Sequence, residues 1–339
     1  MSIPQVILTV RLSALGDVAM TVPAVCSVAL AYPETSMYVL TLTPFAPLFK
    51  YAPSNVHLLL VDKQEIRTLF GLYKTLRKIR RELRPNTVAD LHNVLRSWLI
   101  DLYFSCYGCR VAILNKRRLG RLSLWFKKPY EQQRPFTRRY FDVFKKIGLE
   151  ADASDFFLSL SSKHTSIKQS ETPLIGIAPF ARYQGKTYPP QLMRRSVKLL
   201  LKTTDCHILL FAGRSEAELA VVKRWQRESP RVTSVAGQYT LEQELDIMRS
   251  CALMLTMDSA NMHLASLVGV RVVSLWGCTT PACGFLGWRQ HKEDVIVAGL
   301  ACQPCSVSGT NHCRYQNFPC LVAITPEMIV EKVKTILQC

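Results

Sequence analysis

The sequence predicts an α/β protein made of two doubly wound parallel sheets, and three observations carry that prediction. Short runs rich in Val, Ile and Leu alternate with helical patterns along the chain. The alternation breaks at the polar stretch "SSKHTSIKQSETP" (161–173) and then restarts, so this stretch reads as an interdomain linker. The 339 residues are enough for two domains of ordinary size.

In the first half, strand patterns fall at 5–11, 37–42, 56–61, 87–91 and 110–114, and helical patterns at 20–31, 65–84, 94–106 and 136–147. In the helix over 65–84, Ile66, Leu69, Phe70, Tyr73, Leu76, Ile79 and Leu83 are expected to pack, while Arg67, Lys74, Lys78 and Arg81 form a basic stripe toward solvent. In the second half, strands are expected at 174–178, 206–211, 231–235, 252–256, 271–276 and 293–297, and helices at 189–202, 215–228, 241–250 and 259–268. The expected domains are 1–165 and 166–325, with a last helix in 326–339 packing back on the first. Such sheets bind ligands beyond the carboxyl ends of their strands, so two of them facing each other would form a central cleft.

Hydrophobic residues make up 48% of the chain and charged residues 20%, a globular rather than disordered composition. No run reaches the ~18 uncharged apolar residues of a spanning helix. The stretch "VAMTVPAVCSVALAY" (18–32) could serve as a signal-peptide core, but Asp17 precedes it, Pro23 interrupts it and a strand comes first. The expectation is a cytosolic protein. The net charge of +18 favours anionic partners. Residues 110–146 hold twelve Lys/Arg, with Glu131 and Asp142 as the acids and Trp125, Phe126, Tyr130, Phe136 and Tyr140 interleaved. That segment is either a solvated face or a binding surface.

There is no G-x-G-x-x-G after the first strand and no G-x-x-x-x-G-K-[ST], H-E-x-x-H or G-x-S-x-G, which disfavours dinucleotide dehydrogenases, P-loop enzymes, zincins and α/β-hydrolases. Instead, "RLSALGDVAMTVPA" (11–24) places a lone carboxylate, Asp17, behind Gly16 where a strand ends, with Ser13 as a small donor. Asp17 is either an N-cap or a chemical group. In "LTMDSANMHLASLVGVRVVSLWG" (255–277) a strand ends in Asp258-Ser259-Ala260-Asn261 and a helix begins, an arrangement suited to phosphate. His263 lies one turn inside, as a structural histidine or a ligand contact. "IAPFARYQGKTYPP" (177–190) brings Arg182 and Lys186 to a strand's carboxyl end, where two cations can neutralise a diphosphate leaving group. In "FAGRSEAE" (211–218), Glu216 either caps a helix or holds a ribose hydroxyl.

Taken together, residues 11–24 and 258–269 resemble the two signature motifs of the family 9 glycosyltransferases, the heptosyltransferases of lipopolysaccharide core assembly. The "GKTYP" loop, the "GRSEAE" turn and the order of elements also fit. The resemblance implies a GT-B fold of two Rossmann-like domains. It implies inverting transfer of a heptose from ADP-heptose to a lipid-anchored phosphorylated sugar, with no metal or other cofactor. Asp17 matches the family's proposed catalytic base, and Lys186 the residue that faces the diphosphate. Asp258, Ser259, Ala260, Asn261 and His263 match donor contacts, to which Ser13, Gly16, Arg182 and Glu216 are added. Three positions depart from the pattern: Ala260 stands for the usual Gly, Met20 for a frequent His, and Arg182 for Thr or Ser. Another nucleotide-sugar donor therefore stays open as an alternative. Arg96, Arg117, Arg118, Arg121, Lys127 and Lys128 are expected to serve the acceptor and an anionic membrane, at the inner face of the cytoplasmic membrane. Nucleic acid is not an expected partner, since no recognition module is present and charge alone would carry that reading.

"CQPCSVSGTNHCRYQNFPC" spaces Cys302, Cys305, Cys313 and Cys320 as C-x2-C-x7-C-x6-C. Structural zinc, reduced loop cysteines and a redox disulfide are the three readings, with reduced cysteines preferred.

Overall fold

The computed structural model describes residues 5–116, 132–152 and 172–338, which form two compact units: 5–116 with 134–152, and 132–133 with 172–338. The first unit carries a five-stranded, all-parallel sheet of β1 (Val6–Val10), β2 (Ser36–Leu42), β3 (Val56–Val61), β4 (Thr87–Asp90) and β5 (Arg110–Ile113), in the order β3-β2-β1-β4-β5. Its helices are α1 (Leu15–Ala31), α2 (Leu69–Leu83), α3 (Leu95–Ser105) and α4 (Phe136–Lys146). The second unit carries β6 (Leu174–Ala178), β7 (His207–Leu210), β8 (Val232–Ser234), β9 (Leu253–Met257), β10 (Val272–Trp276) and β11 (Val295–Val297), also all parallel, in the order β11-β10-β9-β6-β7-β8. Its helices are α5 (Pro190–Thr203), α6 (Glu216–Gln226), α7 (Leu241–Arg249), α8 (Ala260–Leu267), α9 (Pro319–Val322) and α10 (Pro326–Leu337). Both strand orders reverse direction beside their first strand, between β1 and β4 in one sheet and between β6 and β9 in the other. A crevice opens at such a switch point beyond the strands' carboxyl ends.

Two expectations are corrected. First, α1 begins at Leu15 and runs through Pro23. Its residues from Val18 to Ala29 are all buried, and that burial offsets the backbone hydrogen bond that Pro23 cannot make. Second, α2 buries Leu72, Leu76 and Ile79, whereas Leu69, Phe70 and Tyr73 are exposed. The Thr68 hydroxyl accepts a hydrogen bond from Gly71 N at 3.1 Å and starts the helix at residue 69, so Ile66 is buried from the preceding turn and the packed face differs from the one read. In the second unit, α10 buries Ile329, Val330 and Val333 in the core and packs on α5. The stretch 153–171, holding most of the expected linker, and residues 117–131, holding Arg117, Arg118, Arg121, Lys127 and Lys128, lie outside the described residues. No helix among the described residues is long and apolar enough to cross a membrane.

Candidate active site

In the first unit, β1 delivers Arg11 and then Asp17 to the switch point. Asp17 is the third residue of α1 and so lies just past the N-cap position, which Ala14 occupies. Its Oδ2 accepts from Ala14 N at 3.4 Å and pairs with Arg11 Nη2 at 2.6 Å. Arg11 is buried, yet its charge is answered on several sides. Nη1 donates to Leu91 O at 2.6 Å, and the guanidinium lies 6.0 Å from the Tyr140 ring centre on α4. A buried cation has to be paired in this way or it would unfold its surroundings. Asp17 remains about a third exposed. Gly16 is buried beside it and Ser13 is half-buried.

Across the switch point, β4 ends in Asp90. Its carboxylate accepts from His92 N at 2.7 Å, from Asn93 N at 2.9 Å and from the Ser97 hydroxyl at 2.7 Å. These bonds close the turn that opens α3, with Asn93 in the left-handed region at φ 49°. His92 is buried, and its Nδ1 has no hydrogen-bond partner among the described residues. Burial first, then Arg11 and Lys116, push its pKa down to about 3, with Asp17 opposing and Arg96 adding to the effect. The imidazole is therefore neutral at physiological pH. Arg96, the second residue of α3, is half-buried. Arg11, His92 and Asp90 were not singled out from the sequence, and Tyr140 was read there only as one of the aromatics among the basic residues of 110–146. Arg11 was visible there as the first charge after an apolar strand.

Beneath that turn, burial and the neighbouring Asp90 raise the Asp101 carboxyl to about 8. A carboxyl with a raised folded pKa contributes its stabilisation fully below the unfolded value of 3.8 and loses it as the pH rises through about 8. Asp101→Asn keeps nearly the same shape and cannot ionise. Its stability relative to wild type should therefore rise steadily from pH 4 to pH 8. Urea midpoints across that range test this, and a constant difference would show that Asp101 is ionised throughout.

In the second unit, β6 leads into a 3-10 turn, Gln184–Lys186, and β9 leads into Asp258. Lys186 Nζ lies 2.7 Å from Asp258 Oδ2, and the Thr279 hydroxyl donates to the same oxygen at 2.6 Å. Ser259 caps α8 by position, and its hydroxyl lies 3.2 Å from that of Thr256. Ala260 and Asn261 open α8, and His263 is buried one turn inside. Arg182 is exposed, with its guanidinium 5.5 Å from the Tyr183 ring centre. Glu216 is the exposed first residue of α6 and does not cap it: Ser215 accepts from Glu218 N at 3.3 Å, and Glu218 accepts from Gly213 N at 2.6 Å.

The Lys186 turn is laced to the chain that follows β10 and β11. Cys278 N donates to Gly185 O at 2.7 Å, Gly185 N to Thr310 O at 2.9 Å and Gln184 N to Asn311 Oδ1 at 2.9 Å. Cys305 N and Ser306 N both donate to Cys278 O at 3.0 Å. The backbones approach so closely that a Cβ on Gly277 would fall 2.2 Å from Gly185 O, and one on Gly309 would fall 3.0 Å from Lys186 Cδ. Gly277→Ala should lower stability by about 1–3 kcal/mol and, on the expectation from the sequence resemblance that Lys186 faces a diphosphate, weaken ADP binding by displacing it. Thermal unfolding and ADP titration measure both, and an unchanged ADP affinity would show that the turn tolerates the shift.

Cys302, Cys305, Cys313 and Cys320 are free thiols. Burial raises the Cys305 thiol, and the Cys320 thiol to about 12. Among the described residues, no group of three or more His, Cys, Asp or Glu is arranged to hold a metal ion.

Both sheets thus place their charged groups at their switch points, and the family model for "Glycosyltransferase family 9 (heptosyltransferase)" matches residues 76–316. The chain belongs to glycosyltransferase family 9. It is 22% identical over 334 residues to the lipooligosaccharide heptosyltransferase 2 of Campylobacter jejuni, covering 96% of each chain. Its fold is that of a family 9 glycosyltransferase from Veillonella parvula (TM-score 0.78, 18% identity, 100% and 99% of the two chains). It also matches the ADP-heptose heptosyltransferase II of Escherichia coli (TM-score 0.71, 21% identity, 98% of each chain). The family 9 enzyme has the expected GT-B fold, two Rossmann-like units, each with a parallel sheet.

Proposed function

We propose that this glycosyltransferase moves a heptose from ADP-heptose to a lipid-anchored, phosphorylated sugar of the lipopolysaccharide core, with inversion at the anomeric carbon. The Lys186–Asp258 pair at the β6/β9 switch point carries the reading, because it sets a cation where a nucleotide's phosphates would meet the start of α8. Supporting it, the relatives of similar length are named as heptosyltransferases, one of them for ADP-heptose. In this reading Lys186, with Arg182, stabilises the departing diphosphate. Asp258, Ser259, Ala260, Asn261 and His263 hold the phosphates and sugar, Glu216 the ribose, and Ser13 and Gly16 line the approach to the donor. Asp17 takes the proton of the attacking hydroxyl. Arg11 engages Oδ2, so Oδ1 is the oxygen that receives it. Arg96 and the basic residues of 117–128 contact the acceptor and an anionic membrane on the cytoplasmic side.

The test incubates purified enzyme with ADP-heptose and a panel of other nucleotide sugars against truncated core acceptors. Mass spectrometry reads transfer, and the coupling constant of the new anomeric proton reads its configuration. Transfer from ADP-heptose with inversion is expected. Transfer only from a different nucleotide sugar would shift the donor assignment, to which Ala260 at the first turn of α8 gives some footing.

A further inference from the structure

The outer face of α2 and α3 departs from what a surface layer of a doubly wound unit should show. On α3, Leu95, Trp98 and Leu102 recur at i, i+3 and i+7, and Leu95 and Leu102 are 71% and 62% exposed. On α2, Leu69 and Phe70 are 73% and 77% exposed. The two helices meet through Tyr73, which packs edge-on against Tyr103 with ring centres 5.9 Å apart, and Tyr103 in turn contacts Tyr107 at 5.1 Å. Arg80 lies 3.9 Å over the Tyr107 ring. Exposed apolar side chains therefore stand on both members of a packed helix pair. Isolated exposed apolar residues need no explanation, but a contiguous stripe with charged flanks does.

The flanks are basic. Lys74, Arg77, Lys78 and Arg81 are exposed along α2, with Arg67 just before it and Arg84 just after, and Glu82 is the one acid within 67–84. We infer that the α2–α3 face docks on an anionic lipid bilayer, its cations meeting headgroups while Leu69, Phe70, Leu95 and Leu102 enter the interface. Charge complementarity selects this occupant over a second copy of the chain, since an isologous contact would set these cations against themselves. The position fits as well. α2 and α3 begin after the carboxyl ends of β3 and β4, so Leu69, Phe70, Leu95 and Trp98 in their first turns lie on the sheet edge that also carries Asp17 and Arg96. That last link rests on the proposed reading of the acceptor. The lipid contact itself does not, and it uses other residues than those of 117–128.

The experiment is co-sedimentation with phosphatidylcholine vesicles, with and without phosphatidylglycerol, at low and high salt. Wild-type enzyme should bind the anionic vesicles and not the neutral ones. A Lys74→Gln, Lys78→Gln, Arg81→Gln variant should bind about a hundredfold more weakly at low salt, at about fivefold per cation. A Leu69→Ser, Phe70→Ser, Leu102→Ser variant should lose about tenfold or more per side chain at either salt concentration. Both variants should transfer sugar to a lipid-free acceptor at the wild-type rate, since none of these residues belongs to the site. Wild-type binding that both variants retain, or no wild-type binding to phosphatidylglycerol, would overturn the inference. So would a concentration-dependent self-association that the Ser variant abolishes, which would assign the face to a second copy. If vesicle binding behaves as expected while no heptose is transferred, the surface stands and the proposed reaction falls.

Discussion

Asp17→Asn lowers turnover by about 10²–10⁴-fold, the contribution of one general base, and leaves ADP-heptose affinity where it was. The expectation follows from how the carboxylate is held. Arg11 Nη2 and Ala14 N both address Oδ2, and an asparagine carbonyl can accept the same two bonds. The start of α1 and the buried Arg11 therefore keep their partners, although Arg11 loses a counter-charge. What disappears is the lone pair able to take a proton at neutral pH. The residues proposed to hold the donor all follow strands of the second sheet, apart from Ser13 and Gly16, which the substitution leaves in place. Single-turnover rates with saturating donor, set beside calorimetric ADP-heptose titration, separate the two quantities. Near-full turnover in the variant would leave Asp17 the modest task of pairing with Arg11.

Lys186→Ala acts on two properties at once. A cation positioned on a departing diphosphate contributes about 10²–10³-fold to turnover, and that contribution is lost. The substitution also strips Asp258 of its ion pair. That carboxylate is 4% exposed and keeps only the Thr279 hydroxyl of the contacts described above. Removing one partner of a buried pair costs about 3–5 kcal/mol, so the melting temperature should fall as well. Adding Asp258→Asn removes the stranded charge and keeps an acceptor for Thr279. The double variant should regain stability without regaining turnover. Recovery of both together would make the pair a purely structural one, and a Lys186→Ala enzyme with unaltered ADP affinity and rate would take Lys186 out of the site.

The strands were legible because each is a short apolar run between polar turns, and ten of the eleven lie within one residue of the expected bounds at both ends. The eleventh, β11, ends where expected and only its start was placed early. What was not legible was which charge answers which. Arg11 pairs with a residue six positions on and a carbonyl eighty positions on, and only the parallel pairing of β1 with β4 brings these together. Local spacing also misled at α6, where Glu216 and Glu218 both sit in the first turn and only the side chain of Glu218 folds back to Gly213. On α2 the helical period was correct and its phase was not. Leu69, Phe70 and Tyr73 were assigned to the core because nothing in a helical pattern distinguishes a face that packs from one that meets another apolar medium.

The lacing of the Lys186 turn has a consequence for the order in which this enzyme becomes active as it is made. The second sheet is complete once β11 has been synthesised at Val297. The partners that fix Gln184 and Gly185, however, are Thr310 and Asn311, and Cys278 O waits for Cys305 and Ser306. A chain emerging from the ribosome therefore forms its second sheet before it completes the contacts around the lysine proposed to drive departure of the leaving group. A nascent chain halted between 298 and 304 would hold every strand of that sheet and still lack the contacts of Thr310 and Asn311 with the Lys186 turn, so that turn is fully fixed only once residues 305–311 have been made.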